Sequence, residues 1–155
     1  VQAYKYNITD NGQAAFTGLK NAKATKVTIP KTVTIGGKSF RVTTIAKNAL
    51  KKSKVSSVTI GSNIKTIENS AFEGCGKLTK VTIGSKVTKI GSSAFKNCKK
   101  LRTVTIKSKN IKSVGKNAFQ KIAPNAKIKV PARKLKAYKK LFKGKGQGKK
   151  VKITK

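Results

Sequence analysis

The chain copies itself. Residues 55–77 read VSSVTIGSNIKTIENSAFEGCGK, residues 78–100 read LTKVTIGSKVTKIGSSAFKNCKK, and eleven of the twenty-three aligned positions are identical. A third copy, LRTVTIKSKNIKSVGKNAFQKIAPN at 101–125, keeps the frame after a one-residue insertion near Lys109–Asn110. A looser copy lies at 26–50, where KVTIP and RVTTIAKNAL are split by KTVTIGGKSF. This repetition limits the fold more than any other feature, because a unit of twenty-odd residues cannot bury its own apolar face. The units must stack, each covering the next.

Within a unit, the apolar-x-x-Val-Thr-Ile segment alternates as a short strand does, with Val81 and Ile83 facing in and Thr82 facing out. One such strand is expected per repeat. A Gly-Ser or Lys-Ser turn leads to a second apolar pair, Val87 and Ile90, matching Ile64 and Ile67. The Ala-Phe that follows marks a corner where the chain turns back. Stacking aligns Phe72, Phe95 and Phe119 in one interior column and Val58, Val81 and Val104 in another.

The end units need covers. YKYNITDNGQAAF alternates on either side of Asp10-Asn11-Gly12, residues that tolerate positive φ, and predicts a hairpin cap. ARKLKAYKKLF places Leu135, Tyr138, Leu141 and Phe142 at helical spacing, and VKITK supplies a closing strand. Gly144, Gly146 and Gly148 read as a flexible link between them. The expectation is a mainly β repeat solenoid, a single domain over 1–155. Residues 1–25 form the N-terminal cap, 26–125 the repeats and 126–155 a basic C-terminal cap of helix plus strand.

The run VTIGSKVTKIGSSAFKNCKKL resembles the repeat of the BspA-like leucine-rich-repeat family, over about 26–125 and the caps. That resemblance implies a right-handed superhelix of short parallel strands in a secreted or cell-surface protein that attaches to host proteins, glycans or other cells. The chain departs from the pattern at Leu50 for the usual Phe, at Ala46 and Glu68 for the usual Gly, and at Ile122 for the usual Cys. These positions affect packing detail rather than architecture.

Charge is the second constraint. There are 38 Lys and Arg against 3 Asp and Glu, a formal net charge of +35 at pH 7. A chain this cationic invites a disordered reading, yet its apolar residues recur in register, which a disordered polycation has no reason to maintain. The acids are Asp10, Glu68 and Glu73, so everything beyond Glu73 is cationic. Ion pairing cannot hold the fold together. No apolar run approaches the roughly eighteen residues of a membrane helix. The chain opens on Val1 rather than Met, and the expectation is a processed or excised piece of a longer secreted protein.

Catalysis needs a poised acid, base or nucleophile, and the composition supplies little. There is no His. Cys75 and Cys98 fall in the interior column of the repeat, where a thiol is a small hydrophobe, and are expected as free thiols one rung apart. Three scattered carboxylates make neither a glycosidase pair nor a metal cage. Gly36-Gly37 and the C-terminal glycines lack the strand-to-helix setting of a phosphate loop. The sequence therefore predicts no catalytic residue, no metal and no cofactor.

What remains is the surface. In a parallel stack, outward positions of successive strands lie about 4.8 Å apart. One row is Ser57, Lys80, Thr103 and Lys127; the next is Thr59, Thr82, Thr105 and Lys129, flanked by Arg102 and Lys107. Lys134, Lys136, Lys139 and Lys140 add to the cationic C-terminal end, where residues 126–155 hold twelve Lys and one Arg and no acid. A single pair of neighbouring lysines repels by less than about 1 kcal/mol in water. Dozens of such pairs, with almost no carboxylates, add up to a standing penalty that an anionic partner relieves. The expected function is non-enzymatic adhesion, with anionic glycans, cell-wall polymers or host surface proteins as partners. Non-specific nucleic-acid binding and a spacer role in a larger surface protein are the alternatives. Against nucleic acid, only Arg41, Arg102 and Arg133 are arginine, and no aromatic platform is free for base stacking.

Overall fold

A computed structural model describes residues 3–155, so Val1 and Gln2, the start of the expected N-terminal cap, lie outside it. The strands are β1 (Tyr4–Ile8), β2 (Ala14–Leu19), β3 (Lys26–Thr28), β4 (Thr32–Ile35), β5 (Lys38–Ile45), β6 (Ser57–Thr59) and β7 (Thr66–Ile67). They continue with β8 (Lys80–Ile83), β9 (Lys89–Ile90), β10 (Thr103–Ile106), β11 (Ser113–Val114), β12 (Lys127–Lys129) and β13 (Lys152–Thr154). One helix, α1 (Leu135–Leu141), follows a single 3-10 turn at Ala132–Lys134.

Each turn of the solenoid contributes two strands, not the one expected. The Val-Thr-Ile segments build a six-stranded sheet in the order β13-β12-β10-β8-β6-β3, all parallel. The second apolar pair of each repeat also pairs. Here β7, β9 and β11 extend a second sheet that begins with β1, β2 and β5. Strands of two residues are too short to show alternation, so no periodic signal marks them in the sequence.

Both caps form as the sequence predicts. β1 and β2 pair antiparallel, and β2 is itself the first rung of the second sheet, parallel to β5. Tyr4 and Tyr6 place their ring edges on Phe16 at 5.4 and 6.1 Å. The Thr28 amide donates to the Tyr4 hydroxyl, tying this hairpin to the first strand of the other sheet. The KTVTIGGKSF insertion is a second antiparallel hairpin, β4 with β5. At the far end, α1 buries Tyr138 against the last turn, and β13 closes the six-stranded sheet.

The corner after the second strand has a regular solution. The amides of Ser70, Phe72 and Gly74 donate to the carbonyls of Ser92, Ala94 and Lys96 one rung on, while the intervening amides of Ala71, Glu73 and Cys75 close turns on residues three back. Amides thus alternate between pairing across rungs and pairing within the turn, leaving few orphans in a buried bend. The geometry needs two left-handed residues per turn. Asn48, Ser70, Ser93 and Asn117 supply one set at φ 56–61°, and Lys52, Gly74, Asn97 and Lys121 the other.

Inside, Phe72, Phe95 and Phe119 stack at centroid spacings of 4.9 and 5.5 Å with planes 3° apart, and Phe142 from the end of α1 extends the column at 5.6 Å. Gly144 to Gly148 is not the flexible link expected. The Phe119 amide donates to the Lys145 carbonyl at 3.0 Å, continuing the corner ladder, and Gln147 Nε2 donates to the Phe142 carbonyl. A Cβ on Gly146 would lie 2.7 Å from that of Gln120, so its glycine serves close packing as well as its positive φ.

Candidate functional site

The six-stranded sheet carries the expected rows in register and extends both. Lys26, Ser57, Lys80, Thr103, Lys127 and Lys152 form one; Thr28, Thr59, Thr82, Thr105, Lys129 and Thr154 form the next. The pattern follows from the repeat, because the inward Val and Ile fix which residues face out. Lys80, Lys127 and Lys129 are exposed, and Thr82 and Thr105 are partly covered by their neighbours. Arg102 is exposed just before β10, where its carbonyl accepts from the Lys127 amide. No carboxylate occupies either row.

Where these strands end, the rungs leave a trough of about 410 Å³. It contains the expected Thr82 and Lys107, joined by Thr59, Ser62, Ser85 and Lys31. Its depth has a backbone cause. Gly61 and Gly84 follow β6 and β8, and a Cβ on Gly84 would lie 2.7 Å from the Gly61 carbonyl oxygen, so these rungs meet through bare backbone. The trough is mixed, with Ile29, Pro30 and Ile60 among its lining, and its threonine and serine hydroxyls and flanking ammonium groups can hydrogen-bond sugar or phosphate oxygens and balance anionic charge. The two serines were legible in the repeated Gly-Ser turn; Lys31 was hidden by its place at the start of the hairpin insertion.

The remaining cations are elsewhere. Lys136, Lys139 and Lys140 are exposed on α1, and half-buried Lys134 precedes it, so these four belong to the C-terminal end of the stack rather than to the sheet rows. The second sheet has a row that sequence reasoning missed, Thr44, Thr66, Lys89 and Ser113.

Cys75 and Cys98 are free and fully buried. Cys75 donates to the Leu50 carbonyl at 2.9 Å and Cys98 to the Phe72 carbonyl at 3.0 Å, each reaching one rung back. Proximity to the Cys75 thiol, followed by burial, pushes the Cys98 thiol far above its ordinary range. The same contact favours the Cys75 thiolate, with help from Ser53 and against burial. Among the described residues, no group of three or more His, Cys, Asp or Glu could hold a metal ion. No helix among them is long and apolar enough to cross a membrane.

Comparison with known families and solved structures places this geometry among known proteins. The family described as BspA type leucine rich repeat region matches residues 43–155 with six copies. None of the curated proteins matches the chain. Among solved structures, a leucine-rich repeat protein from Bacteroides ovatus is 29% identical with a TM-score of 0.74, over 84% of this chain and 34% of that one. The chain thus spans about a third of that protein's length. A leucine-rich repeat protein from Bacteroides capillosus is 24% identical with a TM-score of 0.77, over 85% of this chain and 96% of that one. A leucine rich cell surface protein from Faecalibacterium prausnitzii is 23% identical with a TM-score of 0.62, over 98% of this chain and 49% of that one.

Proposed function

Because the chain belongs to the BspA-type leucine-rich repeat family, we propose that it is a non-enzymatic, extracellular binding module whose six-stranded sheet and adjoining trough hold anionic polymers or anionic glycans. One observation carries the reading: both outward rows of that sheet are built from lysine, threonine and serine, held in register over six rungs so that ammonium and hydroxyl groups recur along one face. The described cell-surface nature of the Faecalibacterium protein supports the location. Adhesion through this face is what the hydroxyls and ammonium groups would do together, the lysines drawing the polymer in and the threonines taking its hydroxyl or oxyanion oxygens.

The test compares two variants with the same loss of charge. Lys80, Lys107, Lys127 and Lys129 are changed to glutamine in one; Lys47, Lys51, Lys52 and Lys54, on the first corner, in the other. Binding to a sulfated glycan and to polyphosphate is measured across a salt series. Affinity of the native protein should fall log-linearly with salt, and the sheet variant should lose slope in proportion to the contacts removed. The corner variant should change the slope little. Equal losses in both variants, or binding indifferent to salt, would refute a defined face.

A further inference from the structure

The fourth turn is one residue longer than the two before it, and the extra residue has built something. In the earlier turns the Ile64 and Val87 amides close on the carbonyls of Gly61 and Gly84. At the matching place in the longer turn, the Ile111 amide donates to the Tyr138 hydroxyl at 3.1 Å, and that hydroxyl donates to the Ser108 carbonyl at 2.6 Å. Ser108, fully buried, donates its own hydroxyl to the Val87 carbonyl and accepts from the Asn110 amide. The bulged loop is therefore held at several points, and one of them is the cap helix 27 residues further along.

Between loop and helix lies a cavity of about 370 Å³, at the small end of ligand pockets, which run from roughly 300 to 1,000 Å³. Lys109 and Lys112 line it from the loop and Lys134 from the helix side, with Ala137 and Leu141 as an apolar wall and Asn110 among the lining groups. Three cations from two segments thus meet in one concavity, one of them half-buried, in a stretch of chain with no acid after Glu73. A diffuse solvated charge has no need of a pinned loop or an apolar wall.

We propose that this cavity receives a single anionic sugar unit, a pyranose bearing a carboxylate or sulfate. The lysines would pair with the anion, Ala137 and Leu141 would face the ring's C–H surface, and the Asn110 side-chain carboxamide would meet its hydroxyls. The proposal deepens the anionic-glycan reading above by adding a site for one unit to a surface that engages many.

Backbone amide shifts in the labelled protein test it, with glucuronate, glucose 6-sulfate, glucose and inorganic sulfate as separate probes at constant ionic strength. Glucuronate or glucose 6-sulfate should shift the Ile111, Lys112 and Leu141 amides saturably, and the tighter of the two names the preferred anion. Either should bind about 10-fold or more tighter than glucose, which lacks the charge-assisted contact, and than inorganic sulfate, which lacks the ring and hydroxyl contacts. Changing Lys109, Lys112 and Lys134 together to glutamine should weaken binding about 10-fold. Changing Lys136, Lys139 and Lys140, the same charge loss on α1, should alter it by less than about two-fold. Inorganic sulfate binding as tightly as the sugars, or equal weakening by both triple variants, would overturn the site. Polymer binding that persists with its salt slope intact would show that the sheet reading had survived the loss.

Discussion

Phe95→Ala tests the register of the whole stack. Phe95 is fully buried between Phe72 at 4.9 Å and Phe119 at 5.5 Å, with all three rings parallel to within 3°. Phenylalanine-to-alanine changes in cores cost about 3–5 kcal/mol, and each aromatic pair adds about 0.5–1.5 kcal/mol beyond its area. With a ring on both sides and ladders fixing the rung spacing, the cavity cannot collapse, which places the loss at about 4–5 kcal/mol. For a chain of this size that lowers Tm by about 8–20 °C. Phe95→Leu should lose much less, about 1–2 kcal/mol, because leucine restores most of the volume and forfeits mainly the ring contacts. Leu50, at the head of the column, shows that the fold accepts the shape. Equilibrium urea unfolding, followed by circular dichroism at one salt concentration, measures both. An unchanged midpoint for Phe95→Ala, or a leucine variant as damaged as the alanine one, would refute the column.

Gly115→Ala should cost about 1–3 kcal/mol by the same unfolding assay, since its Cβ would lie 2.3 Å from the Ser92 amide nitrogen. Gly76→Ala, with open space around it, should be neutral or gain about 0.5 kcal/mol. Lys121→Gly should stabilise by about 1 kcal/mol because Lys121 holds φ at 59°, whereas Lys100→Gly, outside the left-handed set, should destabilise; thermal melts decide, and a loss in the first would contradict the corner geometry. Both thiols are fully buried and should resist alkylation in the folded protein and react once it is unfolded; rapid native labelling read by intact mass would show that the column is open.

The inward and outward assignments of the Val-Thr-Ile strands were readable because three-residue alternation, repeated each turn, overdetermines them. Both caps were readable for a related reason: Asp10-Asn11-Gly12 and the Leu135–Phe142 spacing are local signals. The second sheet was not, since Thr66–Ile67 and Lys89–Ile90 acquire strand character only from the rungs beside them. Nor was the place of Phe142, which joins the phenylalanine column from a helix end without the Ala-Phe pair that marks the others. Ser70 and Ser93 give little hint of positive φ, because serine prefers it far less than glycine or asparagine. As for the site, the two rows followed from the frame alone. The trough and the loop cavity depend on how Lys31 and Tyr138 return to the stack from outside the repeat.

The spacing of the rungs has a consequence for charge. Six strands at about 4.8 Å each give an axis of about 29 Å, along which the folded chain gathers a net +35. That is one charge for each 0.8 Å or so, about twice the axial density of double-stranded DNA, which carries one per about 1.7 Å. Fully extended at about 3.4 Å per residue, the same chain would carry one net charge about every 15 Å. Folding therefore compresses the charge nearly twentyfold and must draw small anions from solution onto the rod. Sulfate or phosphate in the medium should therefore stabilise the folded state, and the protein's solubility and refolding yield should depend on which anion is present.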